Sequence, residues 1–213
     1  MQQLIKLHER DQYIHWHRLK DEDVIRDIFW SHPNAIKLSN AYNLISLIDS
    51  TYKTNRYRLS LLDMVSVTST GMTFSTAFAY LEGKHLNNVV WTLEQFWGIF
   101  LKHDALPGVI ITDRDLALMN VVNTIFLESA NLLCQFHIDK NVKAKCKTLI
   151  GQKNAWDYVM KAWESLVDCP SDQQFDECHM KFEIVWWIVL LINRCSYRWF
   201  CHSRRSDRLL RRI

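Results

Sequence analysis

The sequence predicts an α/β fold, in which a mixed sheet is flanked by helices and a further helical region follows at the C-terminal end. Short runs rich in Val, Ile, Thr and Phe alternate with segments whose apolar residues recur at helical spacing. Two of the runs are joined by a tight turn, which indicates an antiparallel hairpin, whereas later runs alternate with predicted helices. A sheet that contains both kinds of connection has mixed strand direction.

The first elements are predicted from the helical spacing of residues 1–30 and its interruption at Pro33. Residues 1–30 are charged and follow a helical rhythm, so we predict an N-terminal helical segment over residues 1–43. Pro33 interrupts this rhythm because it biases the residue before it away from helical backbone. Residues 44–48 are a short apolar run that ends on Asp49, which is typical of a buried strand.

A hairpin and a helix follow. Residues 61–68 and 73–81 are rich in Val, Thr, Phe and Tyr and are predicted as two strands, with the turn at Ser69–Gly71. From Asn88 the apolar residues fall at helical spacing, which predicts an amphipathic helix that ends before Pro107.

The remaining elements alternate and then become helical. Residues 109–112 predict a strand that ends on Asp113, and residues 115–128 predict a helix. Residues 131–136 predict one more strand, which leads into a lysine-rich helix. Beyond residue 152 the pattern is helical, with a capping box at Ser171–Gln174.

Composition limits the class of protein. Apolar residues make up 48% of 213 residues, enough to bury a core, and five Gly and three Pro are too few for an all-β protein with many turns. The longest apolar run, residues 184–192, is far shorter than the roughly 20 residues that span a bilayer, so no membrane partner is predicted. The six Cys are scattered and the N-terminus lacks an export signal, which favours a reducing compartment with thiols free or metal-bound.

The positive charge is confined to the end of the chain. Seven Arg and one Asp lie in residues 194–213, which therefore carry +6, whereas residues 1–193 carry −3 of the total of +3. A mildly acidic body gives no general indication of nucleic-acid binding. Any such function must therefore depend on local motifs.

Two acids share the same setting. Asp49 and Asp113 each follow an apolar strand directly, and functional groups of open α/β sheets gather outside the carboxyl ends of strands. If the two strands are neighbours, the carboxylates face each other and favour a hard divalent cation between them. Two such ions can activate water and stabilise the leaving oxygen in phosphodiester cleavage. The alternative is that both are ordinary acids and that Asp113 caps the next helix.

The residues around both acids resemble the motifs of Mutator-like (MULE) DNA transposases. The resemblance rests on several ordered segments: residues 48–57, residues 67–71 and 74–81, Glu82 with Trp91, residues 110–115, and Leu133–His137 with its Cys-x-x-His spacing. Together they span about half of the chain. The sequence also resembles plant transposase-derived regulators of the far-red response.

The resemblance implies an RNase H-like fold and a DDE mechanism of DNA transposition and recombination in the nucleus. Asp49 and Asp113 would be the first two catalytic acids and would bind Mg²⁺ or Mn²⁺; no small-molecule cofactor is implied. The partner would be DNA at the transposon ends, and a homo-oligomer is left open. The third acid should be a Glu in an Asn-x-x-Glu-Ser-like context, which the sequence lacks, because Glu164, Glu177 and Glu183 lie in helical stretches.

Four regions follow from these patterns: an N-terminal helical segment (residues 1–43), an RNase H-like MULE transposase domain (44–150), a partial helical insertion (151–185), and an apolar and then Arg-rich tail (186–213). The change of character after residue 185 and the missing Glu predict a truncated copy of a decayed element.

Two further sets of residues have both a functional and a structural interpretation. Cys134 and His137 could share a zinc ion, but a structural zinc site needs four ligands, and a buried thiol beside an orienting histidine explains them equally well. Four lysines could contact DNA phosphates or form a solvated helix face; they are Lys140, Lys143, Lys145 and Lys147.

Three hypotheses result. The first is an incomplete, inactive DDE transposase catalytic domain. The second is a domesticated DNA-binding protein that regulates transcription without catalysis. The third is an unrelated helical protein, which would be favoured if residues 44–48 and 109–112 did not pair in one sheet.

Overall fold

The computed structural model describes residues 2–22, 24–51, 55–83, 85–102 and 105–192. The chain divides into two compact units, residues 1–134 and residues 135–213. The first unit contains the sheet, and the described part of the second unit is helical.

The first unit is built on one mixed sheet of seven strands. Its elements are α1 (Gln2–Arg10), β1 (Ile14–Asp21), β2 (Val24–Ser31), α2 (Pro33–Ala41), β3 (Ile45–Thr51), β4 (Ser60–Val67), β5 (Thr73–Leu81), α3 (Leu86–Gly98), β6 (Val109–Thr112), α4 (Leu116–Ile125) and β7 (Ala130–Leu133). The strand order is β1-β2-β5-β4-β3-β6-β7. The pairs β3–β6 and β6–β7 are parallel and the other neighbours are antiparallel. The predicted α/β fold with a mixed sheet is confirmed, and β3 to β7 have the order expected of an RNase H-like fold.

The β4–β5 hairpin lies where the sequence places it. Burial alternates residue by residue along β4, as expected of a strand with one face on the core. Gly71 adopts a φ of +79° in the turn, where a side chain would be strained. Met72 is the first residue after that turn, and its carbonyl accepts a 2.8 Å hydrogen bond from the N–H of Thr68, which closes the hairpin.

The core of the first unit lies between the sheet and the helices that pack on it. Phe96 of α3 is fully buried and contacts Phe100 at 5.2 Å and Phe126 at 5.8 Å between ring centroids. Ile48 and Ile110 contribute from the two parallel strands. Burying side chains of this size contributes about 1.5–3 kcal/mol each to folding. This packing fixes the positions of β3 and β6.

A group of buried hydroxyls connects the sheet to α2. Ser66 of β4 lies at its centre, with its Oγ 3.1 Å from Ser39 Oγ and 3.3 Å from Ser46 Oγ. Thr76 of β5 donates a 2.8 Å hydrogen bond to the same oxygen. Since buried polar groups are costly unless they are hydrogen-bonded, this group fixes the register of β3, β4 and β5 as well as the position of α2.

The prediction that residues 1–30 are helical is correct only for α1 and wrong for residues 14–31. Residues 14–31 form an antiparallel hairpin, β1–β2, and β2 then pairs with β5. The charged positions gave this segment its helical rhythm, but the apolar positions decide the structure, since Trp16 packs on Phe29 across the two strands at 5.7 Å. Long-range pairing of Phe29 with Ala79 supplies a partner that no local pattern reveals.

The described part of the second unit, residues 135–192, contains three helices, α5 (Gln135–Leu149), α6 (Lys153–Val167) and α7 (Asp172–Ile192). Their apolar faces bury Cys146, Val159 and Trp186 among others. Trp163 donates a 2.8 Å hydrogen bond from Nε1 to Asp139, which ties α6 to α5. At the predicted capping box the N–H of Gln174 donates to Ser171 Oγ at 3.4 Å.

Helix α7 runs without interruption through the predicted change of character at residue 185. Trp186, the first residue of the predicted tail, is buried in the core of the second unit. The Arg-rich part of that tail lies outside the described residues. Within the described part of the chain, no helix is both long and apolar enough to cross a membrane.

Candidate metal centre

Asp49 and Asp113, the two acids that the sequence predicts at strand ends, lie side by side. β3 and β6 are parallel neighbours, and their last paired residues are Ile48 and Thr112. Asp113 directly follows β6, as predicted, whereas β3 continues past Asp49 to Thr51 because it still pairs with β4 there. Asp49 and Asp113 each come one residue after the last β3–β6 pair, so they occupy matching positions on strands that lie about 4.8 Å apart. Asp49 is exposed and Asp113 is half-buried. The pairing that the sequence required for a shared cation site is therefore present.

The loop after β6 separates a capping acid from the candidate acid. Asp115 is the N-cap of α4, and its Oδ1 accepts hydrogen bonds from the N–H groups of Ala117 at 3.0 Å and Leu118 at 3.2 Å. Asp113 does not hold this position; its Oδ1 accepts a 3.2 Å hydrogen bond from the N–H of Asp115. The interpretation of Asp113 as the helix cap is therefore wrong, because Asp115 performs that role.

A third carboxylate lies next to Asp49. Asp63 of β4 is directly opposite Asp49 in the antiparallel register, so both side chains leave the same face of the sheet. Burial raises the pKa of Asp63, a hydrogen bond from Ser75 lowers it, and the negative charge of Asp49 raises it further. The sequence motifs assign Asp63 no role. The signal that could have identified it is a lone acid within an apolar strand, and the pairing register is needed to interpret that signal.

Other residues of the resemblance hold the sheet together. Asn55 orders the turn after β3: its Oδ1 accepts hydrogen bonds from the N–H groups of Tyr57 and Leu59 at 3.0 and 3.2 Å. Residues 52–54 of the same motif lie outside the described residues. Glu82 pairs with Lys20 of β1 at 2.5 Å.

Trp91 takes part in a buried ion network. The guanidinium of Arg18 lies 4.6 Å from the centroid of the Trp91 ring. The same guanidinium pairs with Asp27 at 2.8 Å, and Arg26 pairs with Asp27 at 2.7 Å. Asp27 is fully buried and also accepts a hydrogen bond from the backbone N–H of Glu82. Trp91 and Glu82 therefore secure the N-terminal hairpin to the sheet.

The Cys-x-x-His element crosses the boundary between the units, since Cys134 is the last residue of the first unit and His137 belongs to the second. The N–H of Cys134 donates a 2.7 Å hydrogen bond to the carbonyl of Thr112, which extends the pairing of β7 with β6. His137 lies in the first turn of α5, and its ring contacts that of Phe136 edge to face. Among the described residues no group of three or more His, Cys, Asp or Glu side chains could hold a metal ion. The zinc interpretation therefore gains no further ligands and stays a prediction.

The lysines of α5 divide between two faces. Lys140, Lys143 and Lys147 are exposed at helical spacing and share one side of the helix, whereas Lys145 is half-buried. Asp139, the acid within this run, accepts the hydrogen bond of Trp163 and so serves packing. The structure thus presents a lysine face on α5, defined by Lys140, Lys143 and Lys147.

The candidate glutamates for a third acid lie on the helices of the second unit. Glu164 is on α6, and Glu177 and Glu183 are on α7. In the described part of the chain they belong to no three-residue metal-holding group. Strand pairing places three acids beside one another in the sheet: Asp49, Asp113 and Asp63.

Comparison with known proteins supports the resemblance. The model of the MULE transposase domain matches residues 45–141. Two Arabidopsis thaliana proteins, FAR1-related sequence 6 and FAR1-related sequence 5, are each 24% identical, over 149 and 158 residues. These alignments cover 70% and 74% of this chain. The predicted resemblance to MULE transposases and to their far-red-response relatives is confirmed.

A fungal protein also matches. The PKS-NRPS hybrid synthetase cheA of Chaetomium globosum is 28% identical over 127 residues, which are 59% of this chain but 3% of that protein. No synthetase activity follows from so small a share. The chain spans about a fifth of the length of the two Arabidopsis relatives.

Proposed function

We propose that Asp49 and Asp113 bind Mg²⁺ or Mn²⁺ as the first two acids of a DDE-type site for DNA strand cleavage and transfer, because the model of the MULE transposase domain matches residues 45–141. The observation that carries this proposal is the parallel pairing of β3 with β6, which brings the two acids to matching positions just beyond the last paired residues, Ile48 and Thr112. In an RNase H-like sheet this is the edge at which the reaction centre is expected.

The residues fit a divalent cation by charge and donor type. Carboxylate oxygens are the ligands that hard divalent ions prefer. The negative charge of Asp49 already raises the pKa of Asp63, so a cation at this edge relieves a repulsion that is present in the protein. When bound, the ion supplies charge stabilisation and activation of water for phosphodiester cleavage. The protein positions it through two rigid strands and through the α4 cap at Asp115.

We further propose that the residues of this sequence bind the ion and DNA without completing strand cleavage. The DDE mechanism requires a third acid, and the described residues contain no group of three ligands. This is the inactive copy predicted from the sequence.

Nuclear DNA is the proposed partner. The lysine face of α5 is suited to phosphate contacts, since each phosphate neutralised by Lys releases counterions and makes binding salt-dependent. Substituting Lys143 by Ala should lower the slope of log affinity against log salt by about 1, equally for any DNA sequence. The matched control is Lys145→Ala, whose half-buried lysine should leave the slope unchanged.

The second candidate is a domesticated DNA-binding protein that regulates transcription without catalysis. It is favoured by the match to two FAR1-related sequence proteins. This candidate predicts DNA binding that is unaffected by Asp49→Asn and by removal of divalent ions.

The test is calorimetric titration of Mn²⁺ into the 213-residue chain and its single variants. We expect Asp49→Asn and Asp113→Asn each to weaken binding at least about tenfold, since each removes one ligand charge. The matched control is Asp115→Asn, which removes the same charge two residues away and keeps a good helix cap. Absence of Mn²⁺ binding by the unsubstituted chain, or equal losses in all three variants, would refute the metal site.

A nuclease assay tests the remaining claim. With Mg²⁺ and DNA that carries terminal inverted repeats, we expect binding but no nicks. Nicking that Asp49→Asn abolishes would overturn the inactive state and would leave the metal proposal intact.

A further inference from the structure

A pair of thiols lies in the turn between α6 and α7. Cys169 is one of the four residues between these helices, and Cys178 lies in the second turn of α7. Both are half-buried free thiols, so oxidants of small size can reach them. The sequence spacing of nine residues gave no indication of a pair.

Contacts at the start of α7 place the Cys169 thiol beside Ser171, on the helix face that Phe175 and Cys178 also occupy. The Cys169 thiol donates a 3.3 Å hydrogen bond to the carbonyl of Ser171, which also accepts the N–H of Phe175 at 2.9 Å. Cys169 therefore folds back over the first turn of α7. Cys178 lies one turn beyond Phe175, and helical side chains lean toward the N-terminal end, in the direction of Cys169.

The electrostatics agree with this placement. Burial, and then the hydrogen bond and charge of Cys169, raise the pKa of Cys178, while Lys181 lowers it. Two thiols influence each other in this way only when they are close. Cys146 differs: it is fully buried in the core of the second unit, and burial raises its pKa to about 11.

We propose that Cys169 and Cys178 form a redox-active dithiol that closes into a reversible disulfide across the turn between α6 and α7. The oxidant is a small disulfide such as oxidised glutathione. A thiolate of the pair attacks one of its sulfurs, forms a mixed disulfide and releases one glutathione thiol. The second thiolate attacks the protein sulfur of the mixed disulfide and releases the other glutathione. Two protein thiols and one glutathione disulfide thus give one protein disulfide and two glutathione thiols.

The consequence is local. The bond closes a short loop and fastens the turn to the second turn of α7. A disulfide requires a Cα separation of roughly 4.4–6.8 Å, which the turn before α7 must reach when the bond forms. The modification is independent of the metal centre, since all its residues lie in the second unit.

Mass spectrometry of the full chain tests this proposal. The protein is incubated in glutathione redox buffers, quenched with acid, alkylated and digested with trypsin. Lys161 and Lys181 bracket a single peptide, residues 162–181, that contains both cysteines and no other Lys or Arg. We expect this peptide to lose two hydrogen atoms, about 2 Da, and to carry no alkyl group, while Cys134 and Cys146 are alkylated in the same sample. Dithiothreitol should restore both thiols.

Single variants separate the pair from nonspecific oxidation. In Cys169→Ser the remaining Cys178 should be alkylated, and in the matched control Cys134→Ser the internal disulfide should form to the same extent as in the unsubstituted chain. Glutathione attached to one of the two cysteines at equilibrium, or either cysteine joined to another position, would overturn the proposal. So would alkylation of both thiols under conditions that oxidise a reference dithiol peptide.

Discussion

The first unit contains one aspartate with positively charged neighbours and three aspartates that lie beside one another. Asp27, on β2, is fully buried and is neutralised by Arg18 and Arg26. Asp49, Asp63 and Asp113 lie at adjacent strand positions, where the neighbouring charge is negative and raises the pKa of Asp63. The first arrangement stabilises the fold, and we propose that the second binds a cation.

The difference shows how a structural acid can be distinguished from a functional one. Both groups lie on the same sheet and belong to a chain of ordinary acidic content. Asp27 is fully buried, whereas Asp49, Asp63 and Asp113 are more exposed. The sign of the neighbouring charges also differs, because a buried carboxylate must be paired with a cation, whereas neighbouring carboxylates repel one another. Substitutions at the two groups should therefore affect different measurements.

The largest effect on stability is expected at Asp27. Asp27→Asn keeps the shape but leaves two guanidinium groups without their carboxylate, and should lower the free energy of unfolding by about 3 kcal/mol. Both arginines keep some contact with water, which places the effect at the lower end for buried pairs. Denaturation with urea measures it. The matched control, Glu82→Gln, breaks the exposed pair with Lys20 and should cost about 0–1 kcal/mol. Equal losses of unfolding free energy in the two variants would contradict the greater structural importance of the buried Asp27.

A smaller effect is expected in the loop after β6. Asp115→Ala removes two cap hydrogen bonds of α4 and should cost about 0.5–2 kcal/mol. Asp113→Ala should cost less stability, because Asp113 accepts only one local hydrogen bond from the backbone, but it should abolish Mn²⁺ binding. Thermal denaturation and calorimetric titration on the same samples measure both properties. Greater destabilisation by Asp113→Ala would make Asp113 a structural acid.

The smallest effect concerns the pH dependence caused by Asp63. In the folded protein, burial raises the pKa of Asp63. A hydrogen bond from Ser75 lowers this pKa, and the negative charge of Asp49 raises it. The folded state therefore holds this proton more tightly than the unfolded state. The contribution of this proton to the free energy of unfolding is complete below the pKa of Asp63 in the unfolded chain, about 4. It is lost as the pH rises through the pKa of Asp63 in the folded protein.

Asp63→Asn should remove this dependence. In metal-free buffer with a chelator, the variant should be more stable than the unsubstituted protein at pH 7, and the difference should shrink as the pH falls to about 4. Chemical denaturation at a series of pH values tests this. A difference that is constant with pH would mean that Asp63 does not titrate as described.

Local patterns predicted the central sheet and left its N-terminal edge undetected. The hairpin β4–β5 and the strands β3 and β6 are visible because apolar alternation and short buried runs are local signals. β1 and β2 were predicted as helix because their charged positions repeat at helical spacing, while β1 pairs with β2 and the pairing of β2 with β5 depends on residues about 50 positions away. Tertiary pairing therefore overrides local rhythm at this edge.

The candidate site, like the sheet, could be predicted only in the part that local sequence patterns reveal. Asp49 and Asp113 could be identified because each directly follows a short apolar run, and the residues around them resemble the motifs of MULE transposases. Asp63 could not, because its relation to Asp49 depends on the strand register. The Cys169–Cys178 pair was missed for a similar reason: the turn before α7 brings the thiols together, and no metal-ligand or disulfide spacing in the sequence indicates it.

Crystals of the chain soaked in Mn²⁺ give the most direct test of the metal centre. An anomalous difference map should show a peak at the ends of β3 and β6, within roughly 2–2.5 Å of a carboxylate oxygen from Asp49 and of one from Asp113. Crystals of Asp113→Asn should lack that peak. Anomalous density only at other positions, or none despite saturating Mn²⁺, would contradict the claim that these two strand ends share a cation.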